Sequence, residues 1–393
     1  MFGFTYYTPT KVVFGKDTEG KVAQLVKEQG ATKVLLHYGS GSVVRTGLLD
    51  KVKASLDEAS ISYVELGGVV PNPRLSKVYE GIDLCKSAGV DFILAVGGGS
   101  VIDSAKAIGY GIANDFDVWE LYEHTIKTDK CAPIGVILTI AATGSEMSNS
   151  SVITKEEGWL KRSYGHDISR PKFAIMNPEL TMTLPDYQTA CGCTDILMHT
   201  LERYFTQGGN SDMTDAIAEG LLRTVMKHAL ILKDDPMNYH SRAEVMWAGS
   251  LSHNGLTGCG ANGGDFVTHG LEHELGGMYD VAHGAGLSAI WGSWARYVLE
   301  TSMMRFFKFA VNVMDIEADP FNMYGVALDG IEALERFFRK IGMPTNLREL
   351  GVEPTDEDIK ELAHKAAVAC GGTKGTAKVL YEEDFAKIFE MAR

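Results

Sequence analysis

Between Thr268 and Gly286 the chain reads Thr-His-Gly-Leu-Glu-His-Glu-Leu-Gly-Gly-Met-Tyr-Asp-Val-Ala-His-Gly-Ala-Gly, which places three histidines among glycines. His269 and His273 are four apart, so on a helix both side chains address one small site. His283 lies fourteen residues beyond His269, about 21 Å along an unbroken helix. Donors to one ion sit within about 4 Å of one another, so the chain is expected to turn back before His283. Gly276, Gly277 and Gly284 are the residues expected to allow that turn. A zinc-protease reading of His273 and Glu274 fails because position 277, where a second histidine is required, is Gly277.

A second pair opens the later half of the chain. In Cys191-Gly-Cys193-Thr-Asp195-Ile-Leu-Met-His199, Asp195 and His199 are again four apart on one face. Asp195, His199, His269 and His283 together would give one carboxylate and three imidazoles, a set that suits iron(II) or zinc and leaves positions open for a substrate oxygen. Cys191 and Cys193 point to different sides of a helix and read as packing residues. His37, His124, His166, His228, His240, His253 and His364 lack comparable partners and read as surface or core histidines.

Glycine turns dominate the first half. Asp91 to Val96 is an apolar run leading into Gly97-Gly98-Gly99-Ser100 and then a helix start, a pattern that brings backbone N–H groups and a helix dipole to a pyrophosphate. The earlier turn Gly39-Ser40-Gly41-Ser42 follows the first buried strand and should lie near the adenosine half of a dinucleotide. It is an incomplete fingerprint, with Val44 in the last position, and Gly39 stands where a carboxylate would hold the ribose 2′-hydroxyl. With no negative charge there, and with Ser40, Ser42 and Arg45 nearby, the reading leans to NADP(H), against a plain serine–glycine turn that takes NAD(H) as well. Thr139, Thr143 and Ser145 supply hydroxyls after another strand, as a site for the nicotinamide ribose and carboxamide requires; a capping segment is the alternative.

These groups need elements to hold them. Lys33 to Tyr38, Ser62 to Leu66, Asp91 to Val96, Ile134 to Thr139 and Phe173 to Met176 read as buried parallel strands alternating with helices. That alternation predicts an α/β, Rossmann-like doubly wound domain whose ligand crevice lies beyond the carboxyl ends of the strands. From Leu184-Pro185-Asp186 onward amphipathic helices take over, among them Asp212 to Leu232, Pro320 to Ile341 and Thr355 to Ala369. The expected division is a dinucleotide-binding domain over 1–185 and an all-α metal-binding and catalytic domain over 186–393. Phe4 to Tyr7 and Val12 to Gly15 read as a hairpin or a pair of edge strands, the kind that pairs with another copy, so a homodimer is the expected assembly.

Composition closes off other classes. The 393 residues, 45% hydrophobic, support a large core, and 51 acidic against 37 basic residues give a net charge of −14. That balance speaks against nucleic acid or an anionic membrane as partner. Six scattered cysteines without a C-x-x-C pair indicate neither a disulfide framework nor a cysteine zinc site, and together with the absence of a spanning or leader segment they read as cytoplasmic.

With these motifs in order, Pro71-Asn72-Pro73, Gly97 to Ser100 with Asp103 and Lys106, Thr143-Gly144-Ser145-Glu146, Asp195 to His199, and His269 to His273 with His283-Gly284, the sequence resembles the iron-containing, group III alcohol dehydrogenases along essentially its whole length, close to the butanol dehydrogenase branch. The resemblance implies that Asp195, His199, His269 and His283 are the metal ligands. It places Gly39, Ser40, Ser42, Asn72, Gly97, Gly98, Gly99, Ser100, Asp103, Thr139, Thr143, Ser145 and Lys161 at the dinucleotide. It puts His273 beside the nicotinamide as a proton relay, and the active site in the cleft between two domains. The implied reaction is reversible oxidation of short to medium linear alcohols and reduction of the aldehydes, with Fe2+ expected and Zn2+ as the alternative. The Gly39 loop departs from the NAD-preferring branch by lacking its aspartate. Glycerol dehydrogenase and dehydroquinate synthase share the broad architecture; a metal-dependent hydrolase would not need two glycine turns after strands, and a lack of dinucleotide binding would favour a non-catalytic iron-binding protein.

Overall fold

A computed structural model describes residues 1–39, 41–208 and 211–393. Ser40, singled out above, lies outside the described residues. The chain forms two compact units, one of Tyr7–Thr183 and one of Met1–Tyr6 with Leu184–Arg393.

The first unit is built on β1 (Lys11–Phe14), β2 (Lys33–Gly39), β3 (Ser62–Val69), β4 (Phe92–Gly97), β5 (Ile134–Leu138), β6 (Ser150–Lys155), β7 (Leu160–Gly165) and β8 (Phe173–Met176). Six of these form one sheet in the order β1-β8-β5-β4-β2-β3, every neighbouring pair parallel. β4 and β5 are buried along their whole length, which is why they read as continuous apolar runs and not as alternation. From β2 the chain runs outward to β3, then crosses back so that β4 pairs with β2 on its other side. The strand order therefore reverses between β2 and β4, the switch point beyond which such folds bind their ligands.

The N-terminal expectation is corrected here. Phe4 to Tyr7 forms no strand, and β1 pairs in parallel with β8, Lys11 opposite Phe173, so there is no hairpin. The short β1 completes its hydrogen bonds on a strand 162 residues later, a pairing that local patterning does not reveal. The antiparallel pair β6–β7 was not anticipated. Its turn carries Gly158 and Trp159 at positive φ, and Thr154 N donates to Pro73 O at 2.8 Å, tying the pair to the Pro71–Pro73 loop.

The second unit is helical. Asp186–Tyr204, Asp212–Asp234, Tyr239–His253, Val267–Tyr279, His283–Val298, Met323–Lys340 and Asp356–Ala369 are its principal helices. Its core gathers Phe205, Trp291, Trp294, Phe306 and Phe309, with the Phe205 and Phe306 rings stacked at 4.3 Å.

Candidate metal and dinucleotide sites

Asp195 and His199 project from the Asp186–Tyr204 helix, His269 and His273 from Val267–Tyr279, and His283 is the first residue of His283–Val298. The chain does turn back, but not at the glycines named above. Gly276 and Gly277 lie inside a helix, and the reversal falls on Asp280, a left-handed residue with φ 51°. Aspartate tolerates that conformation because its short polar side chain bonds locally. Gly284 serves a different end: a Cβ there would lie 2.1 Å from the Cys191 carbonyl oxygen, so only glycine lets this helix seat on the one that carries Asp195.

The four ligand candidates converge. Donor atoms of Asp195, His199 and His269 all lie within 4.8 Å of one another. His269 Nε2 and His283 Nε2 each stand 3.6 Å from Asp195 Oδ1. The imidazole Nδ1 of His199 is 3.0 Å from both the main-chain and side-chain oxygens of Asp195, and only the main-chain contact has hydrogen-bond geometry. Asp195 Oδ1 and His269 Nε2 are consequently buried polar atoms with no hydrogen-bond partner among the described residues.

Leaving such groups unsatisfied costs about 1–3 kcal/mol each, more for a charged carboxylate. A divalent cation placed among them removes that cost, so the donor set fits the metal that the sequence implies. Burial pushes the Asp195 carboxyl upward, yet the surrounding imidazoles of His199 and His283 outweigh it and hold the group well below the usual range. The carboxylate is thus kept as an anion. Burial lowers His269, but Glu202 and Asp195 overcome it and push the imidazole up to about 9.

Two carboxylates fix the rings from behind. Glu202 accepts from His269 Nδ1 and, at 3.2 Å, from the His269 amide; Glu272 accepts from His283 Nδ1. Both glutamates are fully buried. With each Nδ1 so engaged, each Nε2 faces the cage, the orientation that a metal requires once it displaces the Nε2 proton of His269. Neither glutamate was picked out from sequence. The available signal was position, since Glu202 follows His199 by three and Glu272 follows His269 by three, each one turn on.

His253 was also missed. Its ring packs edge-on against His199 with centroids 4.0 Å apart, and burial together with the neighbouring His199 and Arg203 pushes it well below the usual imidazole range. It is a neutral wall of the cage. Arg203 braces the same wall, donating to the carbonyls of His199 at 2.7 Å and Ser252 at 3.2 Å while lying over the Phe266 ring. Phe266 is left-handed, φ 52°, which is strained for a bulky residue and sits three residues before His269. His273 lies at the half-buried edge, 6.5 Å from the His269 ring and 5.9 Å from that of His283.

The described dinucleotide candidates all fall in the first unit, most of them in the turns that follow its strands. Tyr38 pairs with Val96 and Gly97 with Leu138, so the turns after β2, β4 and β5 are neighbours. Gly98 and Gly99 open the Gly99–Ile112 helix, and a Cβ on Gly99 would lie 2.5 Å from Thr143, which puts the Thr143 loop against that turn. Thr139 N donates to Gly97 O at 3.1 Å. Asn72, left-handed at φ 52°, and Lys161 on β7 are brought toward one another by the Thr154–Pro73 bond. Ser42 starts the short helix that leaves the β2 turn, and the Arg45 guanidinium folds over Gly41, 2.8 Å from where its Cβ would be. Asp103 and Ser145 turn inward: Ser145 Oγ donates to Asp103 Oδ1 at 2.6 Å, and both are largely buried. No described helix is long and apolar enough to cross a membrane.

Residues 9–178 match the family model described as iron-containing alcohol dehydrogenase, and residues 189–393 match that of the Fe-containing alcohol dehydrogenase family, C-terminal. The chain is 40% identical to NADH-dependent butanol dehydrogenase A of Clostridium acetobutylicum over 99% of each chain. It is 34% identical to the NADPH-dependent aldehyde reductase YqhD of Escherichia coli over 90% of each. The crystal structure of NADH-dependent butanol dehydrogenase A from Thermotoga maritima superposes with a TM-score of 0.96 at 37% identity, covering 100% of this chain and 99% of that one. With both halves matched in order, and with a carboxylate and imidazoles gathered around unsatisfied donor atoms, the chain belongs to the iron-containing alcohol dehydrogenase family.

Proposed function

We propose that the chain, an NAD(P)-dependent alcohol dehydrogenase by family, interconverts short to medium linear alcohols and their aldehydes, butanol and butanal among them. The observation that carries the reading is the pair of orphaned donors, Asp195 Oδ1 and His269 Nε2, buried together among imidazoles. Asp195, His199, His269 and His283 hold the cation, iron(II) in preference to zinc, and Glu202 and Glu272 keep the rings of His269 and His283 aimed. A divalent cation supplies a Lewis acid for a carbonyl or alkoxide oxygen, and a nicotinamide gives or takes hydride. His273 carries the accompanying proton, as its place at the edge of the cage allows.

Gly39, Ser42, Asn72, Gly97, Gly98, Gly99, Ser100, Thr139, Thr143 and Lys161 are proposed to touch the dinucleotide, with Asp103 and Ser145 supporting them from within. The absence of a carboxylate at Gly39 and the guanidinium of Arg45 over Gly41 support NADP(H) as the favoured cofactor. The NADH-dependent relative at 40% identity stands against that preference, and the NADPH-dependent one at 34% stands with it. Exposed Phe2, Phe4, Tyr6 and Tyr7, and β1 at the sheet edge, support a homodimer, which light scattering tests. Six free cysteines support a cytoplasmic setting.

Butanal reduction followed by nicotinamide absorbance, with NADPH against NADH, tests the reaction and the preference together. No turnover with either cofactor, despite tight dinucleotide binding, would contradict the assignment.

A further inference from the structure

One densely coordinated charged side chain of the first unit takes no direct part in the proposed chemistry. Lys106 lies in the Gly99–Ile112 helix and is fully buried. Its Nζ reaches five oxygens: Ser145 O at 2.8 Å, Ser145 Oγ at 2.9 Å, Ser148 O at 3.0 Å, Ser148 Oγ at 3.3 Å and Ser150 O at 2.7 Å. An ammonium has three protons, so these bonds are partly shared, as around a bound cation.

Four of the oxygens belong to the segment joining the Thr143 loop to β6, and the fifth to Ser150, the first residue of β6. Three are main-chain carbonyls, those of Ser145, Ser148 and Ser150. Asp103, one turn earlier on the helix, also holds this stretch, accepting from Ser145 Oγ and, at 3.0 Å, from Val152 N of β6. The effect continues outward. Ser145 N donates to Thr143 Oγ1 at 3.2 Å, and Thr143 is the side chain packed against Gly99. Burial pulls the Lys106 ammonium down to about 8 against the carboxylates of Asp103 and Glu146, so it remains charged at neutral pH.

We propose that Lys106 is a positioning residue for dinucleotide binding: an internal cation that folds Ser145–Ser150 around itself and so fixes Thr143 against the Gly99 turn. The inference rests on the reading that this loop touches the dinucleotide. A lysine serving only overall stability would have no reason to gather its contacts on one loop, and its loss would not separate cofactor affinity from the rest of turnover.

The test measures dissociation constants for NADH and NADPH by nicotinamide fluorescence on metal-loaded wild type, Lys106→Met, Ser148→Ala and Thr143→Val, with melting temperature and metal content for each. In Lys106→Met both constants should rise about tenfold or more, the loss of a charge-assisted bond, while kcat at saturating cofactor, KM for butanal and bound metal stay near wild type. Ser148→Ala removes a contact to Lys106 and the acceptor of Ser150 N, and should raise the constants a few-fold in the same direction. A folded Lys106→Met with unchanged constants, while Thr143→Val weakens binding, overturns the role of Lys106. Unchanged constants in Thr143→Val as well overturn the placing of the loop at the cofactor. If Lys106→Met does not fold, Ser148→Ala decides: wild-type affinity there overturns the proposal.

Discussion

Glu202 accepts hydrogen bonds from two nitrogens of His269, the main-chain amide at 3.2 Å and the side-chain Nδ1. One carboxylate therefore sets both where the helix carrying His269 begins and which way its ring faces. Glu202→Gln keeps the shape but offers one oxygen instead of two and no charge to the imidazole. Metal affinity should fall about 10–100-fold, read by chelator competition, with the melting temperature of the metal-free protein little changed. Glu272→Gln should act likewise through His283.

Gly284 allows the close seat of the His283 helix on the Asp195 helix. In Gly284→Ala the new methyl would press on the Cys191 carbonyl, so the backbone must move and carry His283 with it. The protein should lose about 1–3 kcal/mol of stability and most of its metal, measured by thermal melting and metal analysis on one preparation. Wild-type metal content in this variant would mean that the helix seat does not place His283.

Much of the candidate metal site was legible because helical spacing is a local property: Asp195 with His199, and His269 as one end of the second pair, follow from residues four apart. The carboxylates behind them were not. A glutamate on a helix is ordinary, and only the approach of a second helix turns Glu202 and Glu272 inward. The turn before His283 was expected from geometry but assigned to glycines, whereas Asp280 makes it and the glycine at 284 answers a packing demand from Cys191. In the first half the buried strands announced themselves as apolar runs, and Val12 to Gly15 read as an edge strand, which β1 is; its parallel partner β8 was not legible, and β6–β7 was hidden because its polar residues carry no clean alternation.

Gly39→Asp tests the adenosine end. A Cβ at Gly39 has room, with Val69 O at 3.6 Å and a Val101 methyl at 3.8 Å, so the carboxylate can be accommodated without moving the turn. It should repel a 2′-phosphate and raise KM for NADPH relative to NADH by about tenfold or more. An unchanged ratio would place the 2′-carbon away from Gly39.

His37 gives the first unit a pH dependence. Leu66 O can only accept, so Nδ1 carries the proton at 3.0 Å and Nε2 accepts from Ser104 Oγ at 2.9 Å; the ring is neutral and fully buried. Burial pushes it down to about 4. The unfolded chain protonates near pH 6.5 and the native one does not, so this contribution is complete above pH 6.5 and is lost as pH falls through 4. The loss amounts to about 3 kcal/mol. Melting across pH 4–7 should show a steeper acid decline in wild type than in His37→Asn, and equal slopes would contradict a buried neutral histidine.

The most direct test of the metal-centred reaction is turnover of butanal by Asp195→Ala beside wild-type protein stripped of metal and then reconstituted anaerobically with iron(II) or zinc. Stripped wild type should be inactive and regain turnover with metal, while Asp195→Ala should bind dinucleotide, retain no metal and stay inactive. Full activity in metal-free Asp195→Ala would contradict it.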